Sequence, residues 1–160
     1  MSSSDSVEIL LVEDNPADLE LTLHAFGQNQ IANQIQVARD GEEALDFIFC
    51  RNSFERRSLN QPPRLVLLDL KLPKVDGLQV LREIKGSPQT CAIPVVILTS
   101  SKEEWDLVES YKLGVNSYIQ KPVDFNNFRE TVKHLGLYWL LINASPPAAA
   151  YAQERAKQGA

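Results

Sequence analysis

Four short apolar runs in this sequence lead into residues that can do chemistry. Ile9 to Val12 runs into Glu13-Asp14, Leu65 to Leu68 into Asp69, Val95 to Leu98 into Thr99-Ser100, and Tyr118-Ile119 into Gln120-Lys121-Pro122. If the runs are strands of one parallel sheet, backbone direction places all of these ends around a single crevice. Three carboxylates there cannot all stay ionised without a cation, because each raises the pKa of the others. A divalent ion together with Lys121 balances Glu13, Asp14 and Asp69. An oxygen-only donor set with no His or Cys nearby selects a hard ion, and an exposed cleft that must also admit phosphate favours Mg²⁺. A carboxylate beside such an ion, a lysine and a hydroxyl is an apt phosphoryl acceptor, since that transfer is mostly positioning and charge neutralisation. Asp69 is the best candidate. It is the middle acid-bearing position, and the Leu70-Lys71-Leu72-Pro73 segment after it turns the backbone and can offer a carbonyl to the metal. Taken singly, Asp14 reads as a turn or cap residue and Thr99 as β-branched filler. It is the combination of four strand ends that carries the functional reading.

The elements that must position these residues follow from periodicity. Continuous apolar runs of strand length, with Ile35 to Ala38 added to the four above, suit a parallel sheet covered on both faces. Between them, Leu19, Leu23 and Phe26 fall on one helical face, as do Leu45 with Ile48, Leu78 with Leu81, and Leu107 with Tyr111. The pattern predicts alternating strands and helices. Asn15 before Pro16 predicts a capped helix start with proline at its first position. Asp40 and Asp124 can cap the second and fifth helices, Ser101 with Glu104 forms a candidate capping box, and Gly114 suits a left-handed helix end.

A chain of 160 residues with a formal net charge of -5 is one domain's worth of sequence and no general phosphate-backbone binder. Cys50 and Cys91 are too few and too far apart for a metal or disulfide framework. The polar lead at residues 1–7 is no secretory signal, and the apolar stretch Leu137 to Ile142 is far short of the roughly 20 residues that span a bilayer. A cytoplasmic protein without membrane or nucleic-acid partners is expected. Residues 50–63, with Arg51, Arg56 and Arg57, form a polar insertion that serves as a solvated loop or a docking surface. Residues 144–160 read as a flexible Ala/Pro-rich tail.

The sequence resembles the receiver domains of two-component response regulators. The resemblance rests on LLVEDNP, LVLLDLKLPKVDG, VVILTSS and SYIQKPVD, and it runs from about Glu8 to Gly136 within a domain placed at residues 8–143. It implies a flavodoxin-like (βα)5 fold, a doubly wound parallel five-stranded sheet of order 2-1-3-4-5 with an extended last helix. It implies that Asp69 takes a phosphoryl group from a phosphohistidine of a sensor histidine kinase. Glu13, Asp14, Asp69 and the main-chain carbonyl of Lys71 would hold Mg²⁺, Thr99 and Lys121 would bind the phosphoryl oxygens, and Tyr118 would switch rotamer with Thr99. A cis peptide at Pro122 is implied too. A finer resemblance, carried by FIFCRNSFERRSLNQPP and HLGLYWLLINASPP, is to the single-domain regulators that partner cyanobacterial phytochromes. On this reading the chain is a signalling module and not a metabolic enzyme. An aspartate-nucleophile phosphatase would place a second Asp where Lys71 stands, and a flavodoxin-like FMN carrier would need a Gly/Ser/Thr-rich loop where Glu13-Asp14-Asn15-Pro16 stands.

The last helix offers more apolar surface than one face needs. Phe125, Phe128, Val132, Leu135, Trp139 and Ile142 make one stripe, while Leu137, Tyr138, Leu140 and Leu141 add others. A homodimer is expected through the fourth and fifth helices, with Trp105, Tyr111, Tyr138 and Trp139 on its face and Gly136 permitting close approach. His24 and His134 have no metal-ligand spacing and read as surface residues.

Overall fold

The computed structural model describes residues 9–28, 35–110, 112–115 and 117–137. In chain order the elements are β1 (Ile9–Val12), α1 (Pro16–Gln28), β2 (Ile35–Ala38), α2 (Gly41–Ile48), a 3-10 turn at Asn52–Phe54, β3 (Leu65–Asp69) and α3 (Gly77–Gly86). They continue with β4 (Val95–Thr99), α4 (Lys102–Ser110), β5 (Ser117–Gln120) and α5 (Phe125–His134). The five strands form one sheet of order β2-β1-β3-β4-β5, every pair parallel. The order reverses between β1 and β3, so the connections leaving those strands part and open a crevice at their carboxyl ends.

Strand residues alternate between faces, and the helical layers divide accordingly. Ile9, Leu11, Leu65, Leu67, Val96, Leu98 and Ile119 pack against Phe26 of α1 and Phe128 and Val132 of α5. Leu10, Val12, Val66, Leu68, Val95 and Ile97 pack on the other face, against α2, α3 and Val108 of α4. Burial on both faces explains why the central strands read as unbroken apolar runs rather than alternating ones.

The expected caps form. Asn15 Oδ1 accepts from Asp18 N–H at 3.0 Å, Asp40 from Glu43 N–H at 2.7 Å, and Asp124 from Asn127 N–H at 2.8 Å. Asp76, which the sequence reading passed over, caps α3 through Gln79 N–H at 2.9 Å. Ser101 Oγ accepts from Glu104 N–H at 3.3 Å, but the Glu104 carboxylate reaches Ser100 N–H at 2.6 Å, one residue before the partner a regular capping box would use.

Some expectations are corrected. Leu107 does not share a core face: it is 56% exposed, and Val108 and Trp105 turn inward instead. Tyr111, paired with it in the periodicity, lies outside the described residues, as do Tyr138 and Trp139. Gly114 is left-handed at φ 81°, yet α4 has already ended at Ser110 and Lys112 turns the chain first at φ 51°. The continuous helix expected from Phe125 to Ile142 stops early. Gly136 takes φ 74°, its N–H reaches Lys133 O at 3.0 Å, and Leu137 N–H reaches Val132 O at 2.8 Å. That paired hydrogen bonding around a left-handed glycine is a helix terminator. The remainder of the stripe, Trp139 and Ile142, lies outside the described residues.

The insertion is a built turn and not a bare loop. The Arg57 guanidinium lies 3.6 Å over the Phe47 ring, hydrogen-bonds the Phe47 carbonyl, and donates to Gln61 O at 3.3 Å. Phe54 meets the same ring edge-on at 5.1 Å. Among the described residues no helix is long and apolar enough to cross a membrane.

Candidate phosphoryl-acceptor site

Strand parity brings the charged residues together. Glu13, Asp69 and Lys121 continue the positions of Leu11, Leu67 and Ile119, so all three incline to the α1–α5 side of the sheet. Val12 pairs with Leu68, which sets Glu13 beside Asp69 one step on. Thr99 continues Val95 and Ile97, and Tyr118 pairs with Ile97, so these two belong to the opposite, α4 side. One crevice thus has an ionic half and a hydroxyl–aromatic half.

In the ionic half, Lys121 Nζ lies 2.7 Å from Asp69 Oδ2, 2.8 Å from Glu13 Oε1 and 3.1 Å from Asp18 Oδ2. Asp69 Oδ1 accepts the Lys71 N–H at 3.1 Å, and Glu13 Oε2 accepts the Asn15 N–H at 3.3 Å. The peptide between Lys121 and Pro122 is cis, and Lys121 N–H bonds Thr99 O at 2.7 Å, tying β5 to β4 beside the site. Carboxylate oxygens of Glu13, Asp14 and Asp69 all lie within 4.8 Å of one another. Glu13 is 1% exposed and Asp69 6%, while Asp14 opens onto a groove of about 550 Å³ that runs past Leu70 and Pro73 to Leu107.

The electrostatics follow from that crowding. Burial first, then the hydrogen bond and charge of Asp69, push the Glu13 carboxyl up to about 7, with Lys121 offsetting part of the rise. Burial alone would lower the Lys121 pKa, but its hydrogen bonds to Asp69 and Glu13 outweigh it and hold the ammonium above its ordinary range. A carboxyl whose folded pKa is raised contributes stability that is complete below the ordinary 4.5 and is lost as pH rises through about 7. In metal-free protein, the urea midpoint is therefore expected to fall between those limits. Glu13→Gln should flatten that fall, and an unchanged slope in the variant would place its origin elsewhere.

In the other half, Thr99 Oγ1 is buried with no hydrogen-bond partner among the described residues. A buried hydroxyl left this way costs about 1–3 kcal/mol, and it is a donor available to an anion arriving at Asp69. Tyr118 stacks on Trp105 with ring centroids 4.7 Å apart and planes 24° apart. Trp105, expected on a dimer face, is thus half-buried against the aromatic expected to switch.

Residues 9–133 match the family model described as response regulator receiver domain. The chain belongs to the response regulator receiver family. This receiver is 45% identical over 149 residues to the probable methanogenesis regulatory protein FilR2 of Methanothrix harundinacea (strain 6Ac), covering 93% of this chain and 94% of that protein. It is 40% identical over 141 residues, 88% of this chain and 93% of the relative, to Response regulator Rcp1 of Synechocystis sp. (strain ATCC 27184 / PCC 6803 / Kazusa). The Mn(2+)-bound form of Rcp1 superposes with a TM-score of 0.66 at 39% identity, covering 84% of this chain and 94% of that one. The bacteriophytochrome response regulator AtBRR superposes with a TM-score of 0.79 at 56% identity, over 87% of this chain and 99% of that one.

The structure brings Glu13, Asp14, Asp69 and Lys121 together, with Thr99 at the end of β4. Asp18 was missed. The available signal was its place in the first turn of α1, directly after the acidic strand end, but nothing in the sequence says that Lys121 lies above that turn.

Proposed function

We propose that this receiver is a single-domain response regulator that takes a phosphoryl group onto Asp69 from the phosphohistidine of a sensor histidine kinase of the phytochrome type. One observation carries the reading: a buried carboxylate, Asp69, has a lysine 2.7 Å away and two further acids beside it. As an Asp69 oxygen bonds to phosphorus, the P–N bond to the kinase imidazole breaks and the imidazole leaves. Lys121 neutralises charge on the acceptor and the transferred oxygens, and the Lys71 N–H holds the Asp69 carboxylate in orientation. Glu13, Asp14, Asp69 and the Lys71 carbonyl fit a hard divalent cation, since the donor set is all oxygen and otherwise carries more negative charge than Lys121 balances. When bound, Mg²⁺ supplies charge neutralisation at the phosphoryl oxygens. The Mn(2+)-bound form of Rcp1 supports a divalent ion in this setting. The reading leaves the chain a cytoplasmic signalling protein rather than a metabolic enzyme, with proteins and not nucleic acid as partners.

Output follows from the hydroxyl half. Phosphorylated Asp69 bears close to two negative charges, and Thr99 is the buried donor that can turn to it. That movement frees Tyr118 to shift against Trp105, biasing α4 and β5 between two arrangements and with them a homodimer through the α4–α5 side. Tyr111, Tyr138 and Trp139, which the sequence assigns to that face, lie outside the described residues. In sedimentation at tens of micromolar, a beryllofluoride mimic of the phosphoryl group should shift wild type toward dimer. Thr99→Ala should still bind the mimic but show no shift. Equal shifts in both proteins would sink the switch, and a wild-type monomer throughout would remove the dimer.

A further inference from the structure

Asp18 is the one member of the ionic cluster that no strand end delivers. It sits in the first turn of α1 and is fixed from both sides: its N–H donates to Asn15 Oδ1 at 3.0 Å and its carbonyl accepts the Thr22 hydroxyl at 2.9 Å. Its Oδ2 meets Lys121 Nζ at 3.1 Å across 103 residues of chain. An ammonium has three N–H donors; Asp69 and Asp18 accept two of them at 2.7 and 3.1 Å, while Glu13 Oε1 faces the same ammonium as an ion-pair partner at 2.8 Å. The Lys121 side chain is 14% exposed and that of Asp18 37%, so Asp18 closes the ammonium on its outer side, where water would otherwise be the acceptor. Glu13 and Asp69 are buried beneath it. With only these two partners, a four-carbon side chain keeps freedom to tilt outward; a third partner on a rigid helical turn removes it.

We infer that Asp18 is a positioning residue for phosphoryl transfer, aiming the Lys121 ammonium at Asp69 without touching the reacting atoms. The inference rests on the reading of Asp69 as acceptor. A phosphoryl group in transfer carries its charge on three equatorial oxygens, and a cation already in place contributes without reorganising. Asp18 thereby extends the working site from the strand ends to α1, and it makes the entry of that helix part of the transfer machinery.

The test uses the full chain as wild type, Asp18→Ala, Asp18→Asn, Lys121→Met and Asp18→Ala/Lys121→Met. Phosphorylation is driven by acetyl phosphate with Mg²⁺, and the Lys121 ammonium is followed by ¹⁵N NMR in resting protein. Asp18→Ala should slow phosphorylation about tenfold, the scale of a small misplacement of a catalytic group. Asp18→Asn should stay within about twofold of wild type, because the amide oxygen still accepts the hydrogen bond. In the Lys121→Met background Asp18→Ala should cost nothing further, which a general loss of stability would not reproduce. The slowly exchanging ammonium signal should broaden in Asp18→Ala and return in Asp18→Asn. The inference is overturned if Asp18→Ala is not slowed, if it is slowed equally without the lysine, if Asp18→Asn fails to rescue, or if the ammonium signal is the same in all Asp18 variants. Wild-type protein that takes no phosphoryl group would instead fail the Asp69 reading, and the ammonium signal would still decide whether Asp18 anchors Lys121.

Discussion

Asp69→Asn should accept no phosphoryl group, from a phosphorylated phytochrome-type kinase or from acetyl phosphate, while the wild-type chain accepts it from both. The amide has nearly the shape of the carboxylate and can keep the Lys71 N–H as a partner through its oxygen, so the fold should be retained. What it loses is the anionic oxygen that attacks phosphorus. Removing a covalent nucleophile costs at least about 10³-fold, a drop that leaves no measurable labelling. The second consequence is electrostatic: with one charge gone from the cluster, Lys121 balances a larger share of Glu13 and Asp14, so thermal stability should hold or rise. The label on wild type should have the alkali lability of an acyl phosphate. Labelling that survives in Asp69→Asn would move the acceptor to another residue. Labelling by acetyl phosphate but not by the kinase would keep the acceptor and remove that kinase as the donor.

Gly77→Ala should damage both stability and transfer, and it does so through the backbone of the same aspartate. Gly77 opens α3, and its N–H bonds Leu70 O at 2.9 Å, which folds the segment after Asp69 back on itself. A Cβ there would stand 2.3 Å from Asp69 O, 2.6 Å from Leu70 Cα and 2.9 Å from Leu70 O. All three are backbone atoms, so no side chain can swing aside. The strand end or the helix start must move, at an overpacking cost of about 1–3 kcal/mol or more. Because Lys71 N–H orients the Asp69 carboxylate, the same movement should slow phosphorylation. Gly86, at the other end of α3, has nothing within 4 Å of a built Cβ, and Gly86→Ala should be neutral or stabilising by up to about 1 kcal/mol. Urea midpoints of the two variants make the comparison. Equal midpoints would show that the segment after Asp69 yields more easily than its contacts imply.

Much of this site could be read from the chain because its determinants are local. A run such as LVLLD carries its own statement that the apolar part is buried on two faces and that the aspartate is where burial ends. Backbone direction then carries each terminal residue to the same edge of the sheet, whereas the sharing of one face by Glu13, Asp69 and Lys121 follows from the strand register. The caps Asn15, Asp40 and Asp124 were legible for the same reason: each acts within three residues of itself.

The residues that escaped act over distances that no local pattern records. Asp18 meets Lys121 across a sheet in which β3 and β4 lie between β1 and β5, a neighbourhood that no single segment encodes. Leu107 had the correct spacing for a buried face, but β4 and β5 beneath α4 are covered by Val108 and Trp105, and that rotation depends on how α4 settles on the sheet. The stop at Gly136 turned on one glycine whose left-handed backbone competes with helix continuation, a choice that the apolar stripe on both sides of it concealed. Sequence by itself determined which residues end the strands and hence, by backbone direction, that acids, a hydroxyl and a lysine share one crevice. Only the tertiary structure decided the third partner of the lysine, the stacking of Tyr118 on Trp105 and the closeness of Gly77 to Asp69, because strand order, helix rotation and backbone approach are set by packing of the whole sheet and not by any one segment.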